Sequence, residues 1–216
     1  MKLTCCKGKI REAGWEEVNP EKREKNIYDH RLSNNLVRLK GKVFDYAMCN
    51  DFEYFVTLTI DRNLCDRYDL SGYKKRLGKF LNNYKVRRAV DVKYLLIPEF
   101  HKDGAVHMHG LIAGIPADDL IVNEHGYLDW PPYSQRFGYF SCSPVRDRER
   151  CAKYITKYIT KELNAMPKGS QILMVSKGLK KPEIVSCGFG FEPGEMDWDF
   201  ENEYVMMRWM QDGVGD

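Results

Sequence analysis

The alternation of apolar and polar residues along the chain predicts several β-strands, each bounded by turn-forming residues. Residues 53–60 are rich in β-branched and aromatic side chains, as is typical of a buried strand. Residues 91–100 and 105–113 follow each other across the short joint His101–Gly104, which predicts an antiparallel hairpin. Three weaker strand patterns occupy residues 139–144, 171–176 and 184–189.

Apolar residues at helical spacing predict further elements. Asn19 and Pro20 suit the cap and first turn of a helix that gains apolar positions up to Tyr46, so we expect one or two amphipathic helices before residue 50. Residues 70–84 and 148–163 are predicted to form two more helices. Their apolar positions are Leu70, Tyr73, Leu77, Phe80, Leu81 and Tyr84 in the first, and Ala152, Ile155, Ile159 and Leu163 in the second. Residues 1–20 and 114–138 show no regular pattern.

The mixture of strands and helices predicts an α+β fold, in which an antiparallel sheet carries helices packed on one face. The length of 216 residues suits one domain with short extensions. We expect a basic N-terminal arm and helix over residues 1–48, a central domain over residues 49–190, and an acidic C-terminal tail over residues 191–216.

Charge is distributed unevenly along the chain. The whole sequence has 34 Lys and Arg against 31 Asp and Glu, a net charge of +3. Residues 192–216 hold eight of the acidic residues and one basic residue, which leaves 33 basic against 23 acidic residues, or +10, on the preceding part. A basic body with an acidic tail indicates a polyanionic partner, which the tail would mimic or repel; the alternative is that both parts are simply solvated.

Absent patterns exclude several classes of protein. No apolar stretch approaches the ~18 residues of a membrane-spanning helix, and the N-terminus lacks the apolar core of a signal peptide, so we expect a cytoplasmic protein without a membrane partner. The seven cysteines are scattered and include no C-x-x-C pair, which indicates free thiols in a reducing compartment. The sequence has no G-x-x-x-x-G-K-[ST] phosphate loop, so a fused nucleotide-driven motor is not expected.

The second strand of the hairpin carries the first candidate chemistry. Alternation places His107 and His109 on one face, about 6.6 Å apart along the strand, where two imidazoles can converge on one cation. Glu99 on the partner strand is the natural third ligand if the loop has an odd number of residues. A three-residue loop at Asp103–Ala105 predicts Glu99 opposite His109, and His101 opposite His107. The alternative is that the histidines are half-buried and bonded to the backbone.

The predicted helix over residues 148–163 carries the second candidate group. Four-residue spacing places Tyr154 and Tyr158 on one face, and Lys157 and Lys161 on a neighbouring one. The tyrosines border the apolar stripe, so they can lean over the surface against which the helix packs. The alternative is that they cover the edge of the core while the lysines are solvated.

Three motifs in this order resemble those of the HUH endonucleases. They are Phe55-Val56-Thr57-Leu58-Thr59, then Pro98-Glu99 with His107-Met108-His109-Gly110, then the paired Tyr-x-x-Lys units. Over roughly residues 49–165, the sequence is most similar to the two-tyrosine rolling-circle replication initiators (Rep proteins) of single-stranded DNA phages and small plasmids. The resemblance implies an HUH domain over residues 49–190, with an RRM-like central sheet of about five antiparallel strands. The His-x-His strand would lie in its middle and the tyrosine helix beside it.

The resemblance also implies an activity: metal-dependent, site-specific nicking and rejoining of single-stranded DNA, which initiates rolling-circle replication. Tyr154 or Tyr158 would attack a phosphodiester and form a 5′-phosphotyrosine bond, and the other tyrosine would later cut the newly copied origin. Lys157 and Lys161 would offset charge on the phenolate or the transition state. The sequence does not order the two tyrosines, and we favour Tyr154 as the first nucleophile.

A divalent metal is part of this expectation. Glu99, His107 and His109 would hold it, with His101 as a reserve ligand or a DNA contact. A free tyrosine has a pKa of about 10, so it needs a nearby cation to become a good nucleophile at pH 7. Two imidazoles and a carboxylate by themselves indicate zinc. The family instead implies Mg²⁺ or Mn²⁺, which we expect here, with Zn²⁺ left open.

Two regions are candidates for holding the DNA. Residues 127–140 interleave aromatic side chains with a cation, which predicts a base-stacking platform or, equally, core packing. A basic run over residues 74–88 suits phosphate contacts or, equally, a solvated helix face. The residues expected to contact DNA are Thr57, Thr59, His101, Lys74, Lys75, Arg87 and Arg136.

Two other functions remain open at this point. An HUH transposase or mobilisation relaxase would share the fold and the chemistry but act on another DNA element. A non-catalytic module that binds single-stranded nucleic acid would have a related sheet without metal-dependent cleavage. For the initiator, we expect origin DNA, a host helicase and the host replication machinery as partners, in the bacterial cytoplasm if a phage or plasmid encodes it.

Overall fold

A computed structural model describes residues 2–6, 20–162, 171–182, 197–198, 200–201 and 205–209 of the chain. The chain divides into two compact units: a terminal unit of Met1–Ser33 with Lys181–Asp216, and a central unit of Asn34–Lys180. All the site residues predicted from the sequence belong to the central unit. The functional boundaries expected at residues 48 and 190 stay predictions.

The described residues form ten strands and four α-helices. The strands are β1 (Lys2–Cys6), β2 (Tyr54–Thr59), β3 (Lys93–Phe100), β4 (Val106–Ala113), β5 (Ile121–Val122), β6 (Leu128–Asp129), β7 (Phe140–Pro144), β8 (Met174–Val175), β9 (Phe200–Glu201) and β10 (Val205–Trp209). The helices are α1 (Pro20–Cys49), α2 (Leu70–Arg88), α3 (Pro131–Phe137) and α4 (Arg148–Glu162), with a 3-10 turn at Ala117–Asp119. The predicted α+β class is confirmed.

In the terminal unit, β1, β10 and β9 form a three-stranded antiparallel sheet in that order. β1 pairs with β10 from Lys2 opposite Trp209 to Cys6 opposite Val205. The prediction that residues 1–20 lack regular structure is therefore wrong for Lys2–Cys6. The partner strand lies near the other end of the chain, in the segment predicted as an acidic tail, so nothing local announces the pairing.

In the described part of the central unit, seven antiparallel strands form a sheet in the order β5-β6-β7-β2-β4-β3-β8. β4 lies between β2 and β3 and pairs with both. The sheet is wider than the five strands implied by the resemblance, because two-residue strands extend both edges. Of the two weak C-terminal predictions, residues 171–176 contain β8, whereas residues 184–189 lie outside the described residues.

The central strands are buried on both faces, and each face packs against different helices. Even-numbered residues such as Val56 and Met108 form one core with α2 and α3. Odd-numbered residues of the same strands face α4, whose Ala152, Ile155 and Ile159 are fully buried. The prediction that the helices pack on one face is therefore wrong. Amphipathicity shows that a helix has a buried side, but it does not show which face of a sheet that side covers.

Helix α2 follows its sequence pattern closely. The side chain of Asp69 caps its first turn by accepting a hydrogen bond from Gly72 N at 2.9 Å. Ala89, in the left-handed conformation with φ of +53°, ends the helix. The predicted apolar positions Tyr73, Leu77, Phe80, Leu81 and Tyr84 are buried, so this prediction is confirmed.

Residues 114–138, predicted to be an irregular connection, contain two short strands and helix α3. Pro131 and Pro132 lie at the start of α3, where a missing N–H costs no hydrogen bond. Tyr133 and Phe137, which lie four residues apart, are its buried residues. Paired prolines are turn signals in a sequence, and only the packing of these two aromatic residues shows that a helix follows.

Two of the exclusions drawn from the sequence have a structural counterpart. Within the described residues, no helix combines the length and the apolar character needed to cross a membrane. Cys65, Cys142 and Cys151 are free thiols. The side chains of Cys6 and Cys187 lie outside the described residues.

Gly110 in β4 is required by the close approach of β3. A Cβ atom at this position would lie 1.9 Å from the backbone oxygen of Leu95. We expect Gly110→Ala to lower the free energy of unfolding by at least about 3 kcal/mol, since a central strand would have to move. The control is Gly41→Ala in α1, where nothing lies within 4 Å and where we expect stabilisation of up to about 1 kcal/mol. Urea unfolding measures both; equal stabilities would contradict the close packing of β3 on β4.

Candidate active site

The β3–β4 hairpin turns through the three residues Lys102–Gly104 rather than through the expected Asp103–Ala105. The backbone N–H of His101 donates to the carbonyl oxygen of Ala105 at 2.9 Å, which closes the loop. Gly104 has a φ of +84°. A three-residue hairpin loop commonly needs a left-handed residue at its last position, and glycine adopts that conformation without strain. The loop length was therefore predicted correctly and its position was wrong by one residue.

The moved loop changes the strand register by two residues. Glu99 pairs with His107, and Ile97 pairs with His109, so the predicted pairings of Glu99 with His109 and of His101 with His107 are wrong. A shift of two residues leaves every side chain on its original face. The carboxylate of Glu99 stays on the histidine face and reaches diagonally to His109, with 2.7 Å between Oε2 and Nε2.

The neighbouring strand β2 places one threonine beside each histidine. Thr57 pairs with His109, and Thr59 pairs with His107. Thr57 Oγ1 lies 3.1 Å from His109 Nδ1, and Thr59 Oγ1 lies 3.2 Å from His107 Nδ1. These hydrogen bonds orient both rings through Nδ1 and leave Nε2 as the nitrogen that a metal ion would use. The two threonines, predicted as DNA contacts, thus contact the imidazoles directly.

His101 contacts His107 through its ring, although the two residues are not paired in the sheet. The ring centroids are 3.9 Å apart. Burial, together with the neighbouring His101 and His109, lowers the pKa of His107 to about 4. His107 is therefore neutral at pH 7, which is the form that coordinates a metal ion. His101 is exposed beside the site, and its role as a reserve ligand or DNA contact stays a prediction.

Helix α4 brings both predicted tyrosines to the histidine face. The ring of Tyr158 stacks on the ring of His109, with centroids 4.6 Å apart and planes 9° from parallel. The Tyr158 hydroxyl donates to the hydroxyl of Tyr154 at 2.8 Å. Glu99, His109, Tyr158 and Tyr154 therefore form one continuous set of contacts, although they come from three separate elements.

The two tyrosines differ in their surroundings. Burial and the hydrogen bond to Tyr154 raise the pKa of Tyr158 well above its ordinary value. Tyr154 is 46% exposed, and Lys157 Nζ lies 6.0 Å from the centroid of its ring. Lys161 belongs to α4, but its side chain lies outside the described residues. Tyr154 is thus the more accessible phenol, and it has a cation nearby.

Phe55 is a residue of this site that sequence reasoning missed as an individual contact. Its ring meets Tyr154 edge-on with centroids 5.5 Å apart, and its centroid lies 6.4 Å from that of His109. Phe55 shares a face of β2 with Thr57 and Thr59. Strand alternation counted back from these threonines would have found it.

The side chains on this face match a divalent cation in their donor chemistry. Glu99, His107 and His109 supply one carboxylate and two imidazoles. In the described part of the chain, no three His, Cys, Asp or Glu side chains are already arranged around a common ion position. Glu99 instead bonds directly to His109. An ion bound here would replace that hydrogen bond, while the threonine contacts at Nδ1 could stay in place.

The DNA contacts predicted on α2 and α3 lie on the other face of the sheet. Both helices pack on the even-numbered side chains of the strands, so the exposed Lys75, Arg87 and Arg136 are separated from the histidines by the sheet. Lys74 donates to the backbone oxygen of Ile172 at 3.2 Å, and burial lowers its pKa to about 8. Lys74 therefore fastens the segment before β8 to α2, which makes it a poor candidate for a phosphate contact.

The predicted base-stacking platform is largely part of the core. Four of its aromatic residues are at most 2% exposed and pack with α2: Trp130, Tyr133, Phe137 and Phe140. Tyr127 and Tyr139 are exposed. The platform is therefore wrong for the four buried residues, and the alternative of core packing is right for them. A run of aromatic residues does not distinguish stacking from packing, because both use flat apolar surfaces.

Removal of the two threonine hydroxyls tests whether they position the imidazoles. Valine has nearly the shape of threonine, so we expect Thr57→Val/Thr59→Val to fold normally. We expect it to need about 10- to 100-fold more Mn²⁺ for half-maximal DNA cleavage, because both rings lose the partner of Nδ1. Manganese titration of the cleavage rate measures this effect. Thr4→Val, an exposed position on β1, is the control; an equal response of the two variants would refute the positioning role.

A family model for replication-associated proteins of the ORF2 type matches residues 53–163, which are 111 of the 216 residues. The match includes β2, β3, β4, β7 and α4, and hence every residue of the site described above. The chain belongs to this family of replication-associated proteins, and it is accordingly a protein that acts on DNA. No curated protein and no solved structure matches the chain significantly.

Proposed function

We propose that this protein is an HUH-type initiator of rolling-circle replication, which cuts and rejoins single-stranded DNA through a tyrosine nucleophile. The observation that carries the proposal is the stacking of Tyr158 on His109, because it brings the phenols of α4 to the Glu99–His109 pair. A nucleophile beside a charge-stabilising group is what phosphoryl transfer requires. Membership of a replication-associated family favours an initiator over a transposase or relaxase with the same chemistry.

The proposed reaction is a transesterification at phosphorus. The phenolic oxygen of one tyrosine attacks the phosphodiester in line and gives up its proton to solvent. The bond between phosphorus and the 3′ oxygen breaks, and that oxygen leaves as a hydroxyl after taking up a proton. The product is a 5′-phosphotyrosine ester, which retains the energy of the original bond. The free 3′ hydroxyl can therefore reverse the reaction, and the atoms and charges balance without an oxidant or a nucleotide.

Glu99, His107 and His109 are the residues proposed to hold Mg²⁺ or Mn²⁺, with Zn²⁺ left open by the two imidazoles. A bound ion would supply Lewis-acid polarisation of a non-bridging phosphate oxygen and favour the phenolate. The residues around the ligands do the rest: Thr57 and Thr59 orient the two rings, and His107 is neutral at pH 7.

Tyr154 is proposed as the first nucleophile. It is the more exposed phenol, and the Tyr158 hydroxyl donates to its oxygen, which stabilises a developing phenolate at Tyr154. Tyr158, one helical turn away, is then available for the second cut. Lys157 lies close enough to Tyr154 to offset its charge, and the same spacing assigns Lys161 to Tyr158.

Covalent capture tests the proposal without knowledge of the origin sequence. The full chain is incubated with Mn²⁺ and a pool of single-stranded oligonucleotides of random sequence, and a denaturing gel separates DNA-linked protein. We expect a linked species whose peptide map carries the DNA on Tyr154 or Tyr158. Binding without any adduct in Mg²⁺, Mn²⁺ and Zn²⁺ would favour the non-catalytic binding module. Cleavage that leaves a free 5′ phosphate and no adduct would contradict the tyrosine nucleophile.

A further inference from the structure

A concave groove lies between α2 and α3, on the sheet face opposite to the histidines. Its volume is about 910 Å³. Four cations line it: Arg76, Lys79, Arg87 and Arg136. Because α2 and α3 pack on the even-numbered side chains of the strands, a nucleotide at Tyr154 cannot reach this groove. Whatever binds here is a second ligand, or a second part of a long one.

The charge of the groove is not neutralised. Helix α2 contains seven Lys and Arg and no acidic residue, and α3 contains no acidic residue either. The carboxylates near the end of α2 are already engaged: Asp91 with Lys85, and Asp118 and Asp119 with Arg88. Among the residues that the structure describes, none of the four groove cations forms an ion pair. The groove therefore presents four uncompensated positive charges, which indicates a ligand with several negative charges.

The aromatic rings of the groove support its cations and are not available for stacking bases. The guanidinium of Arg76 lies 5.7 Å from the ring centroid of Phe137, and that of Arg136 lies 5.6 Å from the ring centroid of Phe80. Both phenylalanines are buried. Arg136 is held further by a 2.9 Å hydrogen bond from Nη1 to Pro132 O. Proteins that hold single strands combine basic grooves with exposed aromatic rings, so this groove is not suited to unpaired bases.

We propose that the groove binds the sugar–phosphate backbone of duplex DNA, while the strand to be cut lies on the opposite face of the sheet. Duplex DNA presents its phosphates outward and hides its bases, which suits a surface of cations without stacking rings. The inference rests on the proposed function only in that both ligands would be parts of one DNA molecule. The protein would then hold the duplex that flanks a single-stranded cleavage site.

Charge-neutral variants test the groove in the full chain. The probe is a blunt duplex without unpaired bases, and its affinity is measured by fluorescence anisotropy at several salt concentrations. We expect Lys79→Gln/Arg87→Gln to weaken duplex binding about tenfold at low salt and to reduce the slope of log affinity against log salt by about 2. The matched control, Arg38→Gln/Lys177→Gln, removes the same charge at two exposed positions outside the groove. We expect it to leave the affinity and the slope unchanged.

Each other outcome decides against the groove. Equal losses in the two double variants would show that net charge alone drives binding. An unchanged duplex affinity in Lys79→Gln/Arg87→Gln would show that the duplex binds elsewhere. A larger loss for a short single strand than for the duplex would assign the groove to unpaired DNA. The covalent capture experiment on the unchanged protein is independent of these results, so failure of the nuclease proposal and failure of the groove proposal are distinguishable.

Discussion

The variant Tyr154→Phe/Tyr158→Phe is expected to form less than about one thousandth of the covalent DNA adduct that the unchanged protein forms. The two changes remove the hydroxyls and the 2.8 Å hydrogen bond between them. The rings can keep their contacts with Phe55 and His109, so the variant is expected to fold. Adduct yield on denaturing gels measures the effect, and thermal unfolding checks the fold.

Tyr68→Phe is the matched control for the loss of a hydroxyl. Tyr68 is 56% exposed and lies on the loop before α2, and we expect its variant to retain full activity. Between the single variants, we expect Tyr154→Phe to slow the first cleavage more than Tyr158→Phe does, because Tyr154 is the more exposed phenol. Persistence of the adduct in the double variant would assign the nucleophile to another residue and end the proposed mechanism.

A second large effect is expected from His109→Ala, which should slow adduct formation by about a hundredfold or more. The ring of His109 contacts Glu99, Thr57 and Tyr158 at once, so its loss removes a proposed metal ligand and the surface on which Tyr158 stacks. Because His109 is only 9% exposed, its loss also disturbs packing. Glu99→Gln is therefore the companion variant, since it removes the carboxylate charge and keeps the shape of the side chain.

We expect both variants to need more Mn²⁺ for half-maximal activity, as measured by metal titration of the adduct yield. His125→Ala is the control. His125 lies on an exposed turn, with its Nε2 3.5 Å from a Glu124 carboxylate oxygen, and its loss should change neither the rate nor the metal dependence. If Glu99→Gln kept the rate and the metal dependence of the unchanged protein, the proposed metal site would have to be abandoned.

Local periodicity was sufficient for the two candidate groups. Alternation along β4 predicted that His107 and His109 share a face, because side chains alternate in any strand regardless of its neighbours. Four-residue spacing on α4 predicted that Tyr154 and Tyr158 share a face, and their hydroxyls do meet. Both predictions depend on backbone geometry within a single element.

The register of the hairpin shows where local information ended. Loops at residues 102–104 and 103–105 both have three residues and both contain Gly104. They differ in whether the glycine lies last, where the left-handed conformation is needed. The prediction that Glu99 shares the histidine face was confirmed because both loops have the same parity, whereas its pairing partner was wrong.

Adjacent residues of the same type also diverged for reasons outside their own segment. Lys74 and Lys75 are equivalent in the sequence as members of one basic run. Lys74 donates to Ile172 O, almost a hundred residues further along the chain, whereas Lys75 is exposed. No local pattern distinguishes them, since the difference depends on which distant segment packs beside α2.

The sequence by itself determined the α+β class, the amphipathic faces of α2 and α4, and the shared faces of the histidine and tyrosine pairs. Only the tertiary structure decided that α2 and α4 cover opposite faces of the sheet, that Tyr158 stacks on His109, and that a basic groove lies away from the imidazoles. The first group depends on the repeat of the backbone within one element. The second depends on contacts between residues far apart in the chain, and these are selected by packing of the whole core rather than by any local preference.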